Sequence, residues 1–185
     1  MRRRSFVPLA AVALAAACTE APTATLPVFD ASAEMGVVAN DGRNAATPLS
    51  GGEEVPARDT HARGTAVFHL SEDGSALAYQ LIVANIDNVV ASHIHLAAAG
   101  VNGPVVAFLF GNAPAGGGRV DGVLAEGTIT AANLVGPLAG QPFSALTDAI
   151  LAGNAYVNVH TNDGVDPPNT GAGDFPGGEV RGQIG

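Results

Sequence analysis

Histidines at positions 93, 95 and 160 are the side chains of this chain best suited to chemistry. His93 and His95 stand two apart in Ser92-His-Ile-His-Leu96, and His160 closes Tyr156-Val-Asn-Val-His160. Side chains two apart on a β-strand share a face, so the pair projects together and the third can join it from another strand. Imidazole nitrogen suits zinc and copper, and three such donors with one open position make a competent metal site. The same rings can instead be held singly, each bonded to a main-chain carbonyl or to a carboxylate such as Glu54, Glu179 or Asp163. Convergence of the nitrogens on one point separates the two readings.

Strand phase extends the set. Ile94 and Leu96 oppose the histidine pair, and Val157 and Val159 oppose Tyr156, Asn158 and His160. In Gly177-Gly-Glu-Val-Arg-Gly-Gln-Ile184, Val180 and Ile184 oppose Glu179, Arg181 and Gln183. If the aliphatic faces form the core and the strands are neighbours, the polar residues form one continuous wall outside it. Glu54 joins the candidates from Leu49-Ser-Gly-Gly-Glu-Glu-Val-Pro56. No serine lies in Gly-x-Ser-x-Gly, and Gly116-Gly-Gly118 lacks the Lys-Ser/Thr of a phosphate loop, so the pattern favours a binding or structural module over an enzyme.

The elements that must carry this wall read as strands. Apolar runs with period two, or short continuous ones, are punctuated by Gly, Pro, Asn and Asp. Strands are expected over 64–70, 75–84, 92–96, 105–110, 119–129, 154–160 and 177–184. Phe143 to Ala152 has helical spacing, with Gly153 as its stop. The fold class is therefore all-β: an antiparallel β-sandwich or Greek-key barrel, superoxide-dismutase-like or immunoglobulin-like, with one or two short helices. The segment 161–176, rich in Asp, Asn, Gly and Pro, is expected to cover the wall as a lid or rim. His61 and His69 are expected in solvent.

Four segments, around Gly51-Gly-Glu-Glu54, His93-Ile-His95, Tyr156 to Thr161 and Gly177 to Ile184, together resemble the CHRD domain, the module named after chordin. That resemblance implies the same β-rich fold and an extracellular binding or structural role. The histidine pattern is also similar to copper–zinc superoxide dismutase, where Arg181 would be the matching arginine. The chain departs from it by lacking a bridging histidine between His95 and His160, a zinc ligand set and a cysteine pair, which argues against dismutase activity.

The N-terminus reads as an export signal. Three arginines precede the apolar run 6–17, which is far shorter than the roughly 20 residues a membrane span needs. Cys18, the only cysteine, follows Ala15-Ala-Ala17 as in a bacterial lipobox, although Ala15 stands where leucine is usual. Lipid attachment at Cys18 and plain secretory cleavage both remain open. The expected organisation is a leader over 1–18, a flexible tether over 19–44 and a single domain over 45–185. The domain itself carries no thiol. Without the leader arginines, five basic residues face 17 acidic ones, and lysine is absent altogether. Such a chain repels nucleic-acid phosphates and anionic headgroups. Its expected partners are an extracellular protein or a cationic ligand, copper or zinc included, with membrane contact only through the lipid anchor.

Overall fold

A computed structural model of the chain describes residues 43–185; the expected leader and all but the last two residues of the expected tether lie outside the described residues. Eight strands carry the fold: β1 (Asn44–Ser50), β2 (Arg63–Leu70), β3 (Ala76–Asp87), β4 (Val89–Leu96), β5 (Val105–Phe110), β6 (Arg119–Thr130), β7 (Ala155–Thr161) and β8 (Val180–Ile184). They form one sheet in the order β5-β4-β7-β8-β1-β2-β3-β6. Every pairing is antiparallel.

Local chemistry sets the corners. The β2–β3 hairpin turns on Asp73, whose carboxylate accepts from the Ser75 amide and from the hydroxyls of Ser71 and Ser75, with Gly74 in the left-handed region. Between β3 and β4 stands a single residue, Asn88 (φ 56°), yet these strands occupy distant places in the sheet order. So short a connection requires the sheet to curl until its two halves face each other. Asn88 fixes that corner with its side chain, donating to the Gly173 carbonyl and accepting from the Gly118 amide.

Curvature comes from the long β3–β6 pair, where the register shifts twice, between Leu81 and Ile82 and between Val83 and Ile86. Bulges of this kind increase local twist and bend the strand. The curl brings the outer strands β5 and β6 together into a nearly closed barrel. The Tyr79 hydroxyl donates to the Leu109 carbonyl at 2.7 Å, tying β3 to β5. Inside lie Leu49, Phe68, Leu81, Ile94, Val106, Ile129, Val157, Val159 and Ile184, all buried. The expected helix forms as α1 (Ser144–Leu151), seated by buried Phe143 and Leu146 and stopped by Gly153 at φ 67°.

Two expectations change. The last strand begins at Val180 rather than Gly177, because the chain turns at Gly178 (φ 123°), whose amide donates to the Phe175 carbonyl. No strand is expected before Gly64, with Asn44 ending the tether and Leu49-Ser50 opening a motif, yet Asn44–Ser50 is a full strand paired along its length with β2.

The seam between β1 and β8 is the thinnest in the sheet, with one paired position, Ser50 opposite Arg181. Gly182 is what lets these strands touch: a methyl there would lie 2.1 Å from the Pro48 carbonyl oxygen. Gly182→Ala is therefore expected to destabilise the protein by about 2 kcal/mol or more in urea unfolding. Gly52→Ala, where the nearest atom is 3.8 Å away, should change it by less than about 0.5 kcal/mol.

Candidate metal centre

Register brings the polar wall together as strand phase required. His93 lies opposite Asn158 and His95 opposite Tyr156 across β4 and β7. Across β7 and β8, Asn158 faces Arg181 and Tyr156 faces Gln183. The wall is not open to solvent along its length, however. Tyr156, Asn158 and Arg181 are each at most 2% exposed, because the segments 97–104 and 162–179 fold over them. The histidines stand at the open end: His95 is buried, while His93 and His160 are half-buried.

The three imidazoles converge. One nitrogen from each lies within 4.8 Å of the others. His93 Nδ1 is 3.1 Å from His160 Nε2. Metal–nitrogen bonds of about 2.0–2.1 Å at tetrahedral angles put ligand nitrogens about 3.3 Å apart, so this pair already stands near ligand spacing.

Their outward nitrogens are anchored. His95 Nδ1 bonds the Gly103 carbonyl at 2.9 Å, and His160 Nδ1 bonds the Pro176 carbonyl at 2.8 Å. A carbonyl can only accept, so both rings carry their proton on Nδ1 and turn an Nε2 lone pair inward. Main-chain acceptors behind metal-binding histidines orient them in this way. His95 Nε2 is buried and has no hydrogen-bond partner among the described residues. Without a cation, His93 Nδ1–H serves as the donor to His160 Nε2; to offer Nδ1 to a metal ion, the ring would carry its proton on Nε2 instead. Burial lowers the pKa of all three rings and keeps them neutral, with His93 pushed down to about 4 by burial and by its neighbours His160 and His95.

Around this centre the wall is stacked in layers. The His95 ring lies parallel to Tyr156 at 4.7 Å, and the Arg181 guanidinium sits 3.4 Å from the Tyr156 ring centroid. Because β7 lies between β4 and β8, the two cover opposite faces of the phenol. Arg181 also donates to the Ala98 and Val101 carbonyls and to Asn102. It is thus a clamp on the loop behind Tyr156, not an arginine at the metal position. Phe108, which the sequence reading passed over, packs edge-on against His93 at 4.8 Å while remaining half exposed.

Two expected members stand differently. The buried Glu179 carboxylate accepts from Thr60, Thr161 and the Gly173 amide, on the Thr161 face of β7 and away from the imidazoles. Glu54 is 5% exposed, and its Oε1 has no partner among the described residues. Asp163 caps its own loop at Val165, and His61 and His69 are exposed. The Gly103 and Pro176 carbonyls carried no signal beyond the turn residues themselves.

Barrel and wall together define an all-β module with a built polar site at one end. The chain belongs to the CHRD domain family, whose model matches residues 45–184. No curated protein and no solved structure matches the chain.

Burial raises the Glu54 pKa to about 7, against the opposing pull of Arg181 and Arg58. The folded protein therefore holds a proton that the unfolded chain releases above about 4.5, and stability falls as pH rises toward 7. His93 acts oppositely: its contribution is full above about 6.5 and is lost as pH falls toward 4. Glu54→Gln removes the first slope and leaves the second. In chelator-treated buffer the variant should gain about 2–3 kcal/mol relative to wild type between pH 4 and pH 8, read by denaturant unfolding. Parallel pH profiles would contradict the assignment.

Proposed function

We propose that this CHRD-domain protein is an exported, non-enzymatic binding module of the cell envelope or periplasm, and that its built site takes one transition-metal ion. The observation that carries the metal reading is the pair of pinned tautomers: His95 and His160 each spend Nδ1 on a main-chain carbonyl and aim Nε2 at a common space with His93. Three imidazoles favour copper or zinc over calcium or magnesium, which prefer oxygen. The acidic composition of the chain supports a cationic ligand and opposes nucleic acid. A purely structural role, with the wall only holding loops 97–104 and 162–179 to the sheet, is favoured by those same carbonyl bonds and is the second reading. Export rests on the basic and apolar leader with Cys18, and lipid attachment there is the proposed anchor.

One experiment addresses both parts. The full chain and its Cys18→Ser variant are expressed in a bacterial host, fractionated, purified and titrated with zinc and copper, beside a His93→Ala/His95→Ala double variant. The account expects wild type in the membrane fraction and the Cys18→Ser variant released from it. It expects one equivalent of metal at a Kd of about 1 μM or tighter, weakened about 100-fold or more in the double variant. Wild type without stoichiometric binding would return the site to a structural role. Unchanged membrane fractionation of Cys18→Ser would remove the anchor.

A further inference from the structure

Behind the histidines lie buried polar atoms that no described side chain or main-chain group satisfies. Three buried atoms lack a hydrogen-bond partner there among the described residues: His95 Nε2, Asn158 Oδ1 and Glu54 Oε1. Leaving such atoms unpaired costs about 1–3 kcal/mol each, and two of them, His95 Nε2 and Asn158 Oδ1, can only accept, so they call for a donor or a cation.

Asn158 is central to the group. It pairs directly with His93 across the strands and shares its face of β7 with His160, two residues on. Its amide has a defined orientation. A methyl at Gly178 would fall 2.9 Å from Asn158 Nδ2 and 2.4 Å from Glu54 Oε1, so the amide nitrogen and the Glu54 carboxyl stand side by side there. Gly178 leaves that room by having no side chain. With the amide nitrogen on the Glu54 side, Oδ1 takes the other branch, and the His95 and Asn158 side chains lie within interaction distance of one another. Since His95 carries its proton on Nδ1, Nε2 and Oδ1 both present lone pairs, and neither has a hydrogen-bond partner among the described residues. A cation between them satisfies both.

Building on the metal reading above, we infer that Asn158 is a fourth protein ligand, its side-chain oxygen completing a three-imidazole, one-oxygen site, with the Glu54 carboxyl beside the amide nitrogen. The site then holds its ion from four protein atoms, with His93 and His160 as its half-buried members. A neutral oxygen beside three imidazoles keeps the donor set suited to zinc, cobalt and copper.

The test uses the full chain, Co(II) as a coloured probe and Zn(II) in competition. Asn158→Ala removes the oxygen and Asn158→Asp keeps it with a negative charge in nearly the same shape. The inference expects Asn158→Ala to bind Co(II) about 10- to 100-fold more weakly, with altered visible bands. It expects Asn158→Asp to bind at least as tightly as wild type. Asn158→Ala with wild-type affinity and an unchanged spectrum overturns the inference while leaving the three-histidine site standing. If Asn158→Ala does not fold, Asn158→Asp decides, and weaker binding than wild type overturns it. A wild type that takes no Co(II) overturns the metal reading and this inference with it.

Discussion

Strand β7 is buried on both faces, and the rest of the domain is arranged around that fact. Six of its seven residues are buried and the seventh, His160, is half-buried. One face, with Val157 and Val159, belongs to the barrel core. The other carries Tyr156, Asn158 and His160, which no aliphatic core could accept without cost. Covering a polar face requires partners for its groups, so two connecting segments fold over it and supply main-chain carbonyls, amides and glycines where those groups need them. The site is a consequence of covering this strand.

That cover is positioned by features far from the imidazoles. Asn88 turns the chain between the halves of the sheet and bonds the Gly173 carbonyl in the long β7–β8 connection. Glu179, at the far end of that connection, binds Thr60, Thr161 and the Gly173 amide, so the segment is fastened at its base as well. Arg58 lies over the Phe175 ring and donates to the Gly178 carbonyl. Pro176, whose carbonyl holds His160, is thereby fixed from both sides. On the other loop, Arg181 performs the corresponding work through the Ala98 and Val101 carbonyls, and Gly103 holds His95. The guanidinium and the imidazole meet on either side of Tyr156, so the loop clamp and the histidine share one aromatic wall.

Much of this was legible in the residues. The period of two around Ile94, Val157 and Val180 placed the polar side chains on one face, and strand pairing then put them side by side. The helix before Gly153 and the β5 limits at Val105 and Phe110 followed from spacing and turn residues. What periodicity lacks is any account of long-range cover. It placed the wall outside the core, and so missed that Arg181 and Asn158 are buried. Glu179 has the phase of Arg181, but the turn at Gly178 and the threonines Thr60 and Thr161 draw its carboxylate to the other side. The Asn44–Ser50 strand was hidden for a similar reason: its short run of small residues, one proline and a single leucine has no clear period and gains its place only from β2 beside it.

The central claim is that two histidines are held with their lone pairs inward before any metal arrives. Long-range proton–nitrogen correlation spectra of the imidazoles, recorded on the chelator-treated protein near neutral pH, test it most directly. The account predicts His95 and His160 protonated at Nδ1 with bare Nε2 atoms, and these two resonances shifting together with His93 Nδ1 on addition of one equivalent of zinc. A proton on Nε2 of either ring, or imidazole signals indifferent to zinc, would contradict it.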